Sequence, residues 1–223
     1  MDISIPMQGE FDLKASLSLP SGATSLVIFS HGSGSSRHSP RNNYVAELLN
    51  RENIATLLSD LLTEEEDSLY ENRFNIDLLT ERLIAVTAFA AQDPYLKNLP
   101  IAYFGASTGA ASALQAAAIR GDLVKAVISR GGRPDLAKGL REVVTPTLLI
   151  VGSLDEAVIG MNRQAYAELR CEKKLEIVSG ASHLFEEPGK LDEVAALSID
   201  WFRKYLIPAD RQRPYGLGER PAA

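Results

Sequence analysis

The 223-residue chain carries a formal net charge of −6 and 45% hydrophobic residues, enough apolar material for one core without covalent staples and the wrong overall sign for binding phosphate backbones or anionic lipid. Its one cysteine, Cys171, excludes an intrachain disulfide and a cysteine-based metal cluster, while 16 glycines, 11 prolines and 23% charged residues argue against disorder and fibrous repeats. The opening MDISIPMQGEFDLKAS lacks a secretion signal, so a cytoplasmic location is expected, and the longest apolar stretch, LIAVTAFAA at 83–91, is far shorter than a membrane span.

Apolar runs of strand length alternate with stretches of helical period, the pattern of a mostly parallel sheet with helices on both faces. ISIPM and LKASLSL, separated by QGEFD, predict an antiparallel pair at one sheet edge. SLVIFSHG (25–32) is the next strand, and a helix starting near Pro40 places Val45, Leu48 and Leu49 on one buried face. IATLLSDLL follows as a strand, and TEEEDSLYENRFN, acidic and without apolar period, as a solvated loop. Helix resumes through IDLLTERLIAVTAFAAQD. IAYFGAS (101–107) is a buried strand, GAASALQAAAIRG an alanine-rich helix, and VKAVISRGG another strand. TPTLLIVGSLD, AYAELRCE and KLEIVSGASH then give strand, helix and strand, and KLDEVAALSIDWFRKYL the last helix. One domain is expected over 1–207, with a terminal extension over 208–223 that is rich in Pro, Gly and charge. Only residues 133–144 separate SRGG from TPTLLIV, too few for a separate cap domain.

Three loops carry candidate chemistry. FGASTG at 104–109 has the form Gly-x-Ser-x-Gly between a strand and a helix, the context of a nucleophile elbow, with Gly105 and Gly109 small so that the strained turn can close. A serine hydroxyl needs a base and a group that orients that base. His183, in GASHLFEEPG after a predicted strand, falls at the same sheet edge as Ser107; His31 ends an earlier strand and His38 sits in a polar loop with no orienting partner. For the acid, Asp155 in VGSLDEAV is preferred to Asp135 in SRGGRPDL, because Asp155 lies on the strand just before the histidine loop; Asp135 also reads as the cap of a short helix. The order Ser107, Asp155, His183 is that of an α/β-hydrolase triad. An oxyanion needs two backbone N–H donors, for which Thr108 and, in the HGSGSS turn, Ser33 are the candidates. That glycine-rich turn matches neither the dinucleotide nor the Walker phosphate-binding pattern. Arg37 and Arg130 flank these loops and either could pair with a substrate carboxylate or phosphate, though solvated surface is the preferred reading of both.

FSHGSGSSRHSPRN, FGASTGAA, LLIVGSLDEAV and GASHLFEEPG together resemble the α/β-hydrolase superfamily, and within it dienelactone hydrolase-like proteins, over residues 20–207. The resemblance implies an α/β-hydrolase fold without a cap domain and hydrolysis of a small-molecule ester or lactone substrate, with no cofactor, metal, nucleic acid or membrane partner. Dienelactone hydrolases proper use a cysteine nucleophile where this chain has Ser107, which favours ordinary ester hydrolysis. Members also occur fused to a phosphoribosyltransferase domain, which this sequence is expected to lack. Acyl transfer by the same triad, or a non-catalytic binding module on the same fold, are the alternatives.

Overall fold

The computed structural model describes residues 1–7 and 11–206; the extension expected over 208–223 lies outside the described residues. Eight strands form one sheet: β1 (Asp2–Pro6), β2 (Asp12–Ser18), β3 (Ser25–Ser30), β4 (Ile54–Ser59), β5 (Ile101–Ala106), β6 (Val124–Arg130), β7 (Thr147–Gly152) and β8 (Lys173–Val178), in the order β1-β2-β4-β3-β5-β6-β7-β8. β1 and β2 are antiparallel additions at one edge, as expected, and β3 to β8 run parallel.

The inner parallel strands β3, β4, β5 and β7 are buried on both faces because helices cover both, whereas the edge strand β8 is only partly covered. Side chains alternate along β3: Leu26 and Ile28 pack with Leu83 and Val86 of α3 (Ile76–Gln92) and the alanines of α4 (Thr108–Ile119), while Val27 and Phe29 pack with Val45 and Leu49 of α1 (Pro40–Arg51) and Phe202 of α6 (Lys190–Leu206). Small side chains let α4 lie close on the sheet, and Thr108 to Ala117 are all buried. α1 starts where Ser39 accepts from the Asn42 N–H at 3.3 Å and Pro40 occupies the first turn.

Two local expectations change. The acidic stretch is structured: a short helix, α2 (Glu64–Ser68), is followed by a 3-10 turn at Tyr70–Phe74. A capping box closes the helix start, with the Glu66 N–H donating to Thr63 Oγ1 and the Thr63 N–H to the Glu66 carboxylate. Arg73 and Arg82, at and beyond the end of the stretch, pair with Asp67 and Glu66. Likewise the helix expected at AYAELRCE begins earlier, as α5 (Glu156–Glu168). Its buried stripe is narrow, Val158, Asn162 and Ala165, and the asparagine at its centre hides the apolar period.

Sheet order positions the site. β3 lies between β4 and β5, so the crossover from β3 to β4 runs to one side and β5 lies on the other. At such a reversal the loops after neighbouring strands diverge and leave a crevice beyond their C-terminal ends. Here the loops after β3 and β5 flank it. Ser30 is level with Gly105, Ala106 with Arg130, Arg130 with Ile150, and Gly152 with Val178. All the candidate loops therefore leave the sheet at one edge. The β6–β7 connection contains only two three-residue 3-10 turns, Pro134–Leu136 and Leu140–Glu142, and no cap domain rises from it.

Candidate active site

Ser107 sits between β5 and α4 at φ 52° and ψ −123°, a left-handed backbone conformation that costs a non-glycine residue about 1–3 kcal/mol. Its surroundings hold it there: the Ser107 N–H donates to the Arg130 carbonyl at 3.2 Å, and the Ser107 carbonyl accepts from Ala110 at 3.1 Å and Arg133 at 3.0 Å. A Cβ at Gly105 would lie 2.5 Å from Ala110 Cα, and one at Gly109 would run into the Ser30 and His31 carbonyl oxygens. Both glycines are required by close backbone approach. Although Ser107 occupies the position that caps α4, its hydroxyl makes no capping bond.

Asp155 Oδ2 lies 2.6 Å from His183 Nδ1. Facing a carboxylate, Nδ1 carries the ring proton, and Nε2 is left as the acceptor. The two loops are built onto each other. Leu154 donates to the Ala181 carbonyl at 3.0 Å, Gly180 to Ser153 Oγ at 2.8 Å, and any side chain at Gly152 would strike the Ala181 carbonyl. The Ser182 N–H donates to the Glu187 carboxylate at 3.1 Å, and hydrogen bonds from Ser182 hold that carboxyl below its usual range.

The turn after β6 links the two halves. Gly131, at φ 51°, has the His183 ring against it: a Cβ there would come 3.0 Å from the His183 carbonyl and 3.6 Å from Nδ1. Arg130 and Arg133, on either side, hold the Ser107 backbone. Buried Asn162 fixes the same turn by donating to the Gly132 carbonyl at 2.9 Å. No hydrogen bond joins Ser107 Oγ to His183 in this structure; such contacts commonly close only when substrate is bound. The SRGG doublet is the sequence signal for this turn, whereas nothing in the sequence marks Asn162.

Other expected residues fall elsewhere. Asp135 is inside a 3-10 turn with its carboxylate on Arg133, at 2.9 and 2.8 Å, and does not cap a helix or reach His183. His31 is buried; its Nδ1 donates to the Gly32 carbonyl at 3.0 Å and its Nε2 accepts from Leu61 at 3.2 Å, tying the β3 loop to the β4 loop. Burial pushes its pKa down, with opposing contributions from the Gly32 carbonyl and from Asp60 and Asp67. His38 is exposed.

Neither arginine is solvated surface, contrary to the preferred reading. Arg37 is paired with Asp60 through its backbone N–H, at 2.7 Å, and its guanidinium, beside a cleft of about 280 Å³ lined by His31, Ser35, Asp60, Thr63 and Asp67. Arg130 is 6% exposed, donates to Asn42 Oδ1 at 3.1 Å, lies over the Phe185 ring and has no carboxylate partner among the described residues. Burial, aided by the nearby Arg41 charge, lowers its pKa to about 10. The Ser33 N–H also departs from expectation: it donates to Thr108 Oγ1 at 2.8 Å. Among the described residues no cluster of three or more His, Cys, Asp or Glu side chains is placed to hold a metal ion, and no helix is long and apolar enough to cross a membrane.

No protein-family model matches the chain. Among solved structures it is similar to a dienelactone hydrolase from Anabaena variabilis, 52% identical with a TM-score of 0.89, covering 92% of this chain and 97% of that one. An alpha-beta serine hydrolase homologue from Coxiella burnetii, at 20% identity and TM-score 0.73 over 90% of this chain and 96% of that one, shares the fold. Two Mycobacterium tuberculosis proteins, from strains CDC 1551 and H37Rv and named provisionally as phosphoribosyl transferases, are 52% identical over 199 residues. That match covers 89% of this chain and 45% of theirs, so the chain spans about half the length of these relatives.

Proposed function

The chain belongs to the dienelactone hydrolase-like α/β-hydrolases, and on that basis we propose that it cleaves small carboxylic esters or lactones through an acyl-enzyme on Ser107. The observation that carries the reading is the 2.6 Å contact of Asp155 with His183 on loops that share an edge, and a bracing turn, with the strained Ser107. In the first step Ser107 Oγ attacks the substrate carbonyl while His183 Nε2 takes its proton. The tetrahedral intermediate collapses, the carbon–oxygen bond to the alcohol breaks, and the leaving oxygen takes the proton from His183. Water then attacks the acyl carbon, gives its proton to Nε2, and the acid departs as Ser107 Oγ recovers that proton. Asp155 keeps the imidazole in the required tautomer and balances the imidazolium that forms at each step. The Thr108 N–H, at the start of α4, stabilises the oxyanion.

Arg37 is already neutralised by Asp60 and Arg130 is buried, which weighs against either arginine pairing with an anionic substituent on the substrate. The transferase name of the mycobacterial relatives belongs, on this reading, to the part of those proteins that the chain does not match. What supports this is that the chain covers 97% of a dienelactone hydrolase but only 45% of the mycobacterial proteins.

Labelling with a fluorophosphonate probe, alongside turnover of p-nitrophenyl acetate, tests the proposal. The parent should label and turn over, and Ser107→Ala should do neither. Asp155→Asn should lower kcat by up to about 10⁴-fold, the loss seen when the third group of such a triad is made neutral, whereas Asp135→Asn should stay close to the parent. A parent that fails to label would sink the nucleophile assignment; loss of rate in Asp135→Asn with Asp155→Asn unaffected would reverse the choice of acid.

A further inference from the structure

We infer that β8 is a docking edge for a second copy of this chain, the two molecules joining their sheets by antiparallel pairing of β8 about a twofold axis at Leu175. β8 ends the sheet, and among the described residues no strand lies on its outer side. The Glu172 carbonyl accepts from the Thr147 N–H and the Val178 carbonyl from the Ser153 N–H, both at 2.9 Å, so the even-numbered residues turn their backbone groups toward β7. Those of Lys173, Leu175 and Ile177 therefore face outward. A row of outward N–H and C=O groups is a template for another strand.

The side chains select both the occupant and the register. Leu175 packs against the core on the face covered by α3 and α4, and Val178 against the core on the α6 face, so Lys174 and Glu176 share the α6 face with Val178. With the axis at Leu175, Lys174 of each copy lies opposite Glu176 of the other. Lys174 and Glu176 already pair within one chain, and the second copy completes an alternating square of charges. An axis at Lys173, Lys174 or Glu176 instead sets that residue against itself, like charge on like, and an axis at Ile177 leaves Lys174 and Glu176 facing no opposite charge. On the other face Leu175 meets its own copy, and Ile177, 38% exposed, lies opposite Lys173. The Lys173 ammonium is committed to the Tyr166 and Leu169 carbonyls of its own chain, so its apolar stem is what it offers the isoleucine. Edge lysines ordinarily discourage strand pairing. Here one register matches both of them, and it also gives every outward backbone group a partner.

Sedimentation velocity of the full chain over about 1–100 µM, where a dimer shows itself by concentration dependence, reads the association, and hydrogen exchange reads the Lys173, Leu175 and Ile177 amides. The parent should dimerise, with those amides gaining protection as the dimer forms. Lys174→Glu and Glu176→Lys each turn both cross-strand pairs into like charges and should weaken the dimer by about 10- to 100-fold. Mixed in equal amounts, the two variants should form a heterodimer of parental strength, because each offers the charge the other lacks. Lys174→Glu combined with Glu176→Lys in one chain should restore the homodimer. If a single variant does not fold, protection of the three amides in the parent decides alone. A parent that stays monomeric, a dimer that survives both single reversals at parental strength, or association without protection of the three amides overturns the inference. Protection of those amides in a monomer means that the chain covers its own edge, and overturns it equally.

Discussion

Asp155 stands immediately before a helix, where an aspartate side chain ordinarily accepts an N–H from the first turn and contributes about 1 kcal/mol. It makes no such bond, and its carboxylate faces His183 instead. Ser107 likewise forgoes capping α4. Two good capping residues that both decline to cap mark where local stability is given up for a site. Both were legible as candidates, because chain order and position after a strand are sequence properties. The Thr108–Ser33 bond was not, since it joins residues 75 positions apart through a side-chain orientation. His31 shows the opposite use of a polar side chain, wholly committed to structure. Its folded pKa lies below the ordinary value of about 6.5, so the unfolded chain takes up this proton first. The stability tied to neutral His31 is complete above about pH 6.5 and is lost as pH falls toward the folded value. Melting curves between pH 8 and pH 5 should show a steeper acid loss in the parent than in His31→Gln, and equal slopes would remove His31 as the cause.

At the level of elements, helix starts depended on caps and strand ends on turns. Helix α6 has a broad apolar face, and its sequence period ends at the observed limits, Lys190–Leu206. The helix at Glu156–Glu168 shows no apolar period at its start in the sequence, because Asn162, buried by its bond to Gly132, interrupts the stripe. The acidic segment carries no helical signal in the sequence because its order comes from a capping box and from pairing with Arg73 and Arg82, none of which has an apolar period. At Gly109, α4 meets the end of β3 closely. A methyl group at Gly109 meets backbone carbonyls, which cannot move aside without breaking the elbow. Gly109→Ala should therefore destabilise the protein by about 3 kcal/mol or more, whereas Gly160→Ala, within the helix at Glu156–Glu168 and with open space around it, should be neutral or slightly stabilising. Chemical denaturation of the two variants checks this, and comparable stability would contradict the close-packing argument.

On the scale of the whole molecule, no single element owns the site: its parts leave the sheet after β3, β5, β6, β7 and β8. Each depends on the register of its neighbours. The proposed esterase activity should therefore disappear on heating together with tertiary structure, with no inactive folded state over a measurable interval; near-ultraviolet circular dichroism and residual activity followed across one thermal ramp would reveal any separation. The alternation of strands and helices made this architecture readable from the sequence. The crevice at β3 and β5 was not, because it follows from strand order, which the alternation leaves open.

Among the described residues the β6–β7 connection, with its two 3-10 turns, raises no roof over the proposed reaction centre. On the proposed function, an unroofed centre would sort substrates mainly by what fits beside Ser107, so discrimination between long and short acyl chains should be shallow. It also makes that connection the natural graft point for an engineer: a helical insert there would shade the site and narrow its clientele while leaving every strand pairing in place.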